Sequence, residues 1–84
     1  MKDIITLDKL EVGKRGRVVD IALPEAMRHR LFDLGFARDT IVECVGRSPM
    51  GDPSAYFVRG TVIAIRAADA KGVRLFGGDI DGAD

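Results

Sequence analysis

The sequence predicts a mainly β domain, a small five-stranded barrel with one inserted short α-helix. Three observations carry this. Five short runs rich in β-branched and apolar residues are separated by glycine and proline turn signals. One segment alone, 24–34, keeps a helical period over about three turns. Eighty-four residues build one core and leave nothing for a second.

Residues 6–10 (TLDKL) read as a short helical turn that Thr6 or Asp8 can cap. Gly13 and Gly16 bracket Lys14-Arg15 as a turn, and 17–23 (RVVDIAL) follows as the first strand. Pro24 suits the first position of a helix, where its missing N–H costs nothing. Counting about 100° per residue from Met27, Leu31 falls at about 40° and Leu34 at about −20°, one apolar stripe for the core. Phe32, at about 140°, and His29, at about 200°, fall off the stripe, as does Arg28. Gly35 is a good left-handed stop.

The second strand is 40–45 (TIVECV), with Val42 and Cys44 on one face. Two glycines and two prolines make 46–53 (GRSPMGDP) a turn or exposed loop. Strand 55–58 (AYFV) connects through the tight pair Arg59-Gly60 to strand 61–66. One helical turn fits 67–71, Gly72 breaks it, and 73–76 (VRLF) is the fifth strand. The domain is therefore 1–76, and 77–84 is an acidic tail expected to be mobile.

Charge narrows the function classes. The 13 Lys and Arg face 10 Asp and Glu within 1–78, a net of +3, and Asp79, Asp81 and Asp84 then cancel it. That balance is too weak for a dedicated duplex-DNA binder. Arg outnumbers Lys nine to four, which suits bidentate contacts to a protein partner. One cysteine and one histidine exclude a disulfide framework and every zinc pattern of four Cys/His ligands. The first residues lack the apolar core of a secretory signal, and no stretch approaches about 18 apolar residues, so the chain reads as cytosolic.

No chemistry-bearing constellation emerges. Gly13-Lys14-Arg15-Gly16 lacks the spacing of a phosphate-cradling loop. Cys44 reads as a small buried hydrophobe and His29 as a solvent-facing side chain. The tail opens like a calcium loop but lacks the distal glutamate. Catalytic residues, metal ligands and cofactors are accordingly none. Tyr56 and Phe57 are neighbours and point to opposite faces, which argues against a stacking platform for single-stranded nucleic acid. What remains is surface apolarity: Phe32 off the helix stripe, Met50 at a loop tip, and Phe57 outward if Tyr56 points in with Val58.

Arg30-Leu31-Phe32-Asp33-Leu34-Gly35-Phe36 resembles the RLxDLG(L/M) signature of the FeoA family, small accessory proteins of bacterial ferrous iron transport. Four more segments follow in the family's order: Leu10-Glu11-Val12-Gly13 with Gly16 and Val18, the loop Ser48-Pro49-Met50-Gly51-Asp52-Pro53, Val58-Arg59-Gly60, and Ile63-Ala64-Ile65-Arg66. Together they span about residues 6–76. The chain departs from the family at Arg38-Asp39, where Pro-Gly is usual, and aspartate is among the residues that tolerate the positive φ a glycine would allow.

The resemblance implies a five-stranded SH3-like barrel with an inserted helix. It also implies a non-enzymatic cytosolic partner of the FeoB-type iron permease, held at the inner membrane only through that partner, with self-association left open. Candidate contacts are Phe32, Met50 and Phe57 with Arg28 and Arg38, apolar anchors beside arginine. Arg30, Leu31, Leu34, Gly35, Pro49, Gly51, Asp52 and Pro53 are expected to shape the barrel, with Asp52 capping its own turn. Two rivals remain, a barrel acting with a metal-dependent transcriptional repressor and a single-strand nucleic-acid binder. Deleting 77–84 is expected to leave the melting temperature nearly unchanged in scanning calorimetry; a large drop would mean that the tail packs on the barrel.

Overall fold

A computed structural model describes residues 3–77 of the chain. Within them six strands form one antiparallel sheet: β1 (Ile4–Thr6), β2 (Arg15–Ile21), β3 (Ile41–Arg47), β4 (Ser54–Val58), β5 (Thr61–Ile65) and β6 (Val73–Phe76). Their order across the sheet is β1-β6-β2-β3-β4-β5. Helix α1 (Glu25–Asp33) joins β2 to β3, a single turn α2 (Ala67–Ala70) joins β5 to β6, and a 3-10 turn, Leu7–Lys9, follows β1.

Alternation sorts the side chains. Val42 and Cys44 of β3, Tyr56 and Val58 of β4, and Val73 and Leu75 of β6 are buried, while their in-between neighbours Phe57 and Arg74 face outward. Two register shifts, between Val18 and Asp20 of β2 and between Cys44 and Gly46 of β3, add a residue to one strand of each pair. Such bulges bend and twist a strand, which lets a short sheet curl around one core. Leu7, Leu10, Leu31 and Phe36 belong to the same buried cluster.

The sixth strand corrects the sequence reading. Ile4–Thr6 pairs with β6 through Ile4–Phe76, Ile5–Leu75 and Thr6–Arg74. Three residues carry too little periodicity to show in sequence, and only the partner strand makes them β. The helical turn at 6–10 is the 3-10 turn, and the Thr6 hydroxyl bonds the Asp8 carboxylate instead of a backbone cap. The strand read at 17–23 runs two residues earlier, because Arg15 and Gly16 pair with Glu43 and Val42. Gly46 and Arg47, read as loop, extend β3 opposite Ala55 and Ser54. Pro24 caps α1 in an extended conformation (φ −53°, ψ 151°) and so precedes its first turn.

Leu34 is a further correction. It is the C-cap residue of α1, still in the helical conformation with its N–H on the Arg30 carbonyl at 3.2 Å, but it is 39% exposed and lines an open groove with Met27 and Leu31 instead of entering the core. The core stripe therefore ends at Leu31, the one buried residue of the helix, with Met27 half-buried beside it. Gly35 (φ +112°) then reverses the chain, and its missing Cβ leaves room for the Arg59 side chain, whose Cδ lies 2.9 Å from that position. Phe36 swings back into the core and donates its N–H to the Leu31 carbonyl at 2.9 Å.

Asp39 takes φ +71°, as expected of the position where the resembled family carries glycine, and donates its N–H to the Val18 carbonyl at 2.8 Å. Residues 78–84 of the expected acidic tail lie outside the described residues. Gly77, its first residue, donates its N–H to the Asp3 carbonyl at 3.1 Å.

Leu31→Ala should cost about 2–5 kcal/mol in urea denaturation, the usual range for emptying a buried leucine site. Phe32→Ala, one residue on and exposed, should cost under about 0.5 kcal/mol. Equal effects would mean that the helix is not anchored through Leu31.

Candidate docking surface

Arg28 and Phe32 stand four residues apart on α1, hence on one face of it. That face looks onto β2 and the chain leaving the helix. A groove of about 250 Å³ lies between them, lined by Arg28, Phe32, Asp20, Ile21, Ala37 and Arg38 over the buried Phe36. Phe32 is 62% exposed at its rim. Among the described residues, neither Arg28 nor Arg38 has a carboxylate within ion-pair distance.

Asp20, the acid in this groove, is committed elsewhere. Arg74 reaches it across β2 and β6 with two guanidinium hydrogen bonds, one of them from Nε at 2.7 Å. Those hydrogen bonds hold the Asp20 carboxyl below the usual carboxylate range against the opposing effect of burial, and the charges of Arg74 and Arg38 add to the lowering. The groove thus presents an aromatic ring with two arginines that make no ion pair among the described residues, Arg38 feeling the Asp20 charge only at longer range.

The other two apolar candidates lie apart from it. Met50 is 91% exposed at the tip of the β3–β4 connection. Phe57 lines a separate cleft of about 280 Å³ on the outer sheet face with Arg15, Ile41, Glu43 and Arg59. Arg15 and Glu43 pair across β2 and β3 at 3.4 Å. Arg28, Phe32 and Arg38 therefore line one groove, and Met50 and Phe57 lie away from it.

The loop motif residues build structure. The Gly51 N–H donates to the Ser48 carbonyl at 2.8 Å around Pro49, Gly51 sits at φ +87°, and the Pro53 carbonyl takes the Ser48 N–H at 3.1 Å after a cis Asp52–Pro53 bond. Asp52 does not cap its own turn. Its Oδ1 accepts the Ala67 N–H at 2.8 Å, capping α2 from fifteen residues away. A four-residue helix has unsatisfied N–H groups at its start, and the folded loop brings the carboxylate to one of them.

A third groove, of about 290 Å³, runs between α1 and β5, with Met27, Leu31, Leu34 and Ile63 in it and Arg30, Arg66 and Asp69 around it. It holds Arg30, Leu31 and Leu34 of the expected structural set, and adds Ile63 and Arg66, which sequence reasoning missed. The helix and strand are some thirty residues apart, so no local pattern joins them. Cys44 is buried, and its Sγ lies 3.7 Å from the Gly46 carbonyl. His29 is exposed and 3.6 Å from Glu25 one turn away. Among the described residues no three His, Cys, Asp or Glu side chains converge as a metal site would require. Nor is any described helix long and apolar enough to cross a membrane.

Comparison with known proteins agrees with this architecture. The sequence model of the FeoA domain matches residues 5–75. The FeoA protein of Chlorobium tepidum is 30% identical and superposes with a TM-score of 0.83 over 87% of this chain and 70% of that one. FeoA of Stenotrophomonas maltophilia, solved in complex with zinc, is 29% identical, with a TM-score of 0.75 over 84% of this chain and 88% of that one. It is described as a prokaryotic SH3 domain protein proposed as a ferrous iron transport activating factor. A manganese-dependent transcriptional repressor shares the fold alone, at 13% identity and a TM-score of 0.80, and this chain spans 44% of its length. No curated protein matches the sequence.

The Asp20–Arg74 pair gives a pH signature. A carboxyl whose folded-state pKa is lowered adds stability above its unfolded pKa and loses it as pH falls through the folded value. The wild type should therefore lose more melting temperature between about pH 6 and about pH 3 than Arg74→Gln does. The difference should be small, since both side chains are about half exposed and screened by water. Parallel curves would show that the pair adds nothing.

Proposed function

The chain belongs to the FeoA family, and from that premise we propose that it is a non-enzymatic accessory protein that docks on the cytosolic region of a FeoB-type ferrous iron permease and assists or regulates uptake. The observation that carries the reading is the groove at Arg28, Phe32 and Arg38. An exposed aromatic costs solubility unless something covers it, and a ring flanked by arginines is the composition that binding hot spots favour. The two arginines select an acidic partner surface and steer it.

The protein works at the cytosolic face, and reaches the membrane through the permease. The iron is handled by the permease. Met50 and Phe57 are secondary contacts, on a loop tip and an outer sheet face that a large partner reaches together with the groove. The repressor reading draws support from fold likeness alone. The nucleic-acid reading has little behind it, because Tyr56 is buried and Phe32 and Phe57 line different clefts.

Titrating the protein into the purified cytosolic domain of the permease, with and without a GTP analogue, tests this by calorimetry. Saturable binding is expected. Phe32→Asp should weaken it by about tenfold or more while leaving the circular dichroism spectrum unchanged. Unchanged affinity removes Phe32 from the interface. Absence of binding by the wild type to both this domain and the full-length permease overturns the docking reading, and steeply salt-dependent binding to oligonucleotides replaces it with the nucleic-acid one.

A further inference from the structure

The sheet ends at β5, and among the described residues that strand pairs only with β4. Which of its backbone groups are left over follows from the hairpin. Arg59 and Gly60 form a two-residue loop with both φ positive (49° and 84°), the type I′ geometry. Such a turn makes the flanking Val58–Thr61 a hydrogen-bonded pair, and pairs then alternate along an antiparallel ladder. Tyr56–Ile63 and Ser54–Ile65 are bonded, and Phe57–Val62 and Ala55–Ala64 are not. The neighbouring ladder agrees. Cys44, opposite Tyr56, gives its N–H to Lys14 at 3.0 Å and takes the Gly13 N–H at 2.7 Å, so both point away from β4. Val62 and Ala64 therefore aim their N–H and C=O groups at the open edge.

Edge strands are usually protected by a charge, a proline or a bulge. β5 (TVIAI) has no charge and no proline, and its register with β4 is unbroken. Beside its edge lies the groove of Met27, Leu31, Leu34 and Ile63, with Arg30 and Arg66 around it and Asp69 as its acid.

We propose that this edge takes up an extended segment of a partner protein as an added strand, with an apolar side chain in the α1–β5 groove and a carboxylate against Arg30 and Arg66. A strand bonded to Val62 and Ala64 places the residue opposite Ile63 on the inner side, over the apolar floor, and its neighbours on the outer side. The arginines decide between occupants. A second copy pairing edge to edge brings two sets of Arg30 and Arg66 to one junction, whereas an acidic-apolar segment neutralises one set. The inference rests on the docking reading above for its partner, the permease's cytosolic region.

Proline at position 64 removes the outward N–H of Ala64 and leaves the β4 ladder intact, since Ala55–Ala64 is not a bonded pair. Ala64→Pro and the double variant Arg30→Glu/Arg66→Glu should each weaken calorimetric binding to the permease domain by about tenfold or more. In hydrogen exchange by NMR, the wild-type Val62 and Ala64 amides should exchange freely alone and about tenfold or more slowly in the complex. That measurement decides the matter even if Ala64→Pro misfolds. Binding that is lost in Phe32→Asp while the Val62 and Ala64 amides stay unprotected overturns the added strand and leaves the docking reading standing. No binding by the wild type overturns both. A wild-type dimer in sedimentation whose interface protects these amides assigns the edge to a second copy and overturns the acidic segment.

Discussion

One buried leucine holds the helix on which both grooves depend. Of the nine residues of α1, Leu31 alone is fully in the core. Nine residues are too few for a helix to persist by its own hydrogen bonds, so its stability comes from what it packs on. Gly35 and Phe36 complete the anchor, one by turning the chain and the other by returning a ring to the core beside Leu31. With the helix axis fixed in this way and Met27 packed against the core beside Leu31, its other side chains face outward. Arg28 and Phe32 fall to one flank, Met27, Arg30 and Leu34 to the other, and each flank faces a different part of the sheet.

The barrel itself is small enough to need polar ties at its joints. The segment after β1 is held down at three points. Leu7 and Leu10 are buried, the Tyr56 hydroxyl reaches the Leu7 carbonyl at 3.4 Å, and the Arg47 guanidinium donates to the Leu10 carbonyl at 2.8 Å. Burial pushes the Tyr56 hydroxyl above its ordinary pKa and outweighs the opposing hydrogen bond with Ser54, so the proton it donates stays on it. Asp52 likewise ties down α2, its Oδ1 accepting the Ala67 N–H. These are long-range contacts between segments that local propensity leaves loose, and they order connections that a core of this size would otherwise leave to solvent.

How much of this was legible depended on whether the cause was local. Alternation alone separates Tyr56 from Phe57, and the helical period alone ejects Phe32 and His29, because each rule concerns neighbours on one element. The positive φ at Asp39 was readable from the family's glycine. Failures have the opposite character. Ile4–Thr6 is a strand only because β6 lies beside it, and Leu34 keeps the direction of Met27 and Leu31 but lies at the helix end over the open α1–β5 groove, where no side chain among the described residues covers it. Asp52 binds a helix that begins fifteen residues later. The docking candidates divide in the same way: exposure was readable for Phe32, Met50 and Phe57 singly, but only the fold shows that Arg28 and Arg38 join the first and not the others.

Among the described residues no three His, Cys, Asp or Glu side chains converge, and what the surface offers a partner is shape, charge and an open strand edge. Here the charge is distributed with some asymmetry. Arg74 holds Asp20 and Arg15 holds Glu43, so two acids of the sheet are spoken for. Among the described residues Arg28 and Arg38, on one flank of α1, make no ion pair, and the groove on the other flank carries Arg30 and Arg66 with Asp69 as its acid. The helix is thus a ridge between two cationic grooves, one with an aromatic anchor and one beside an unprotected strand. A partner that straddles the ridge engages both at once. The second contact is then intramolecular, and affinity gains from the high local concentration without any further residue. On the docking proposal, a short helix with a single fully buried side chain suffices: rigidity is needed only along its axis, and recognition is spread over its two sides.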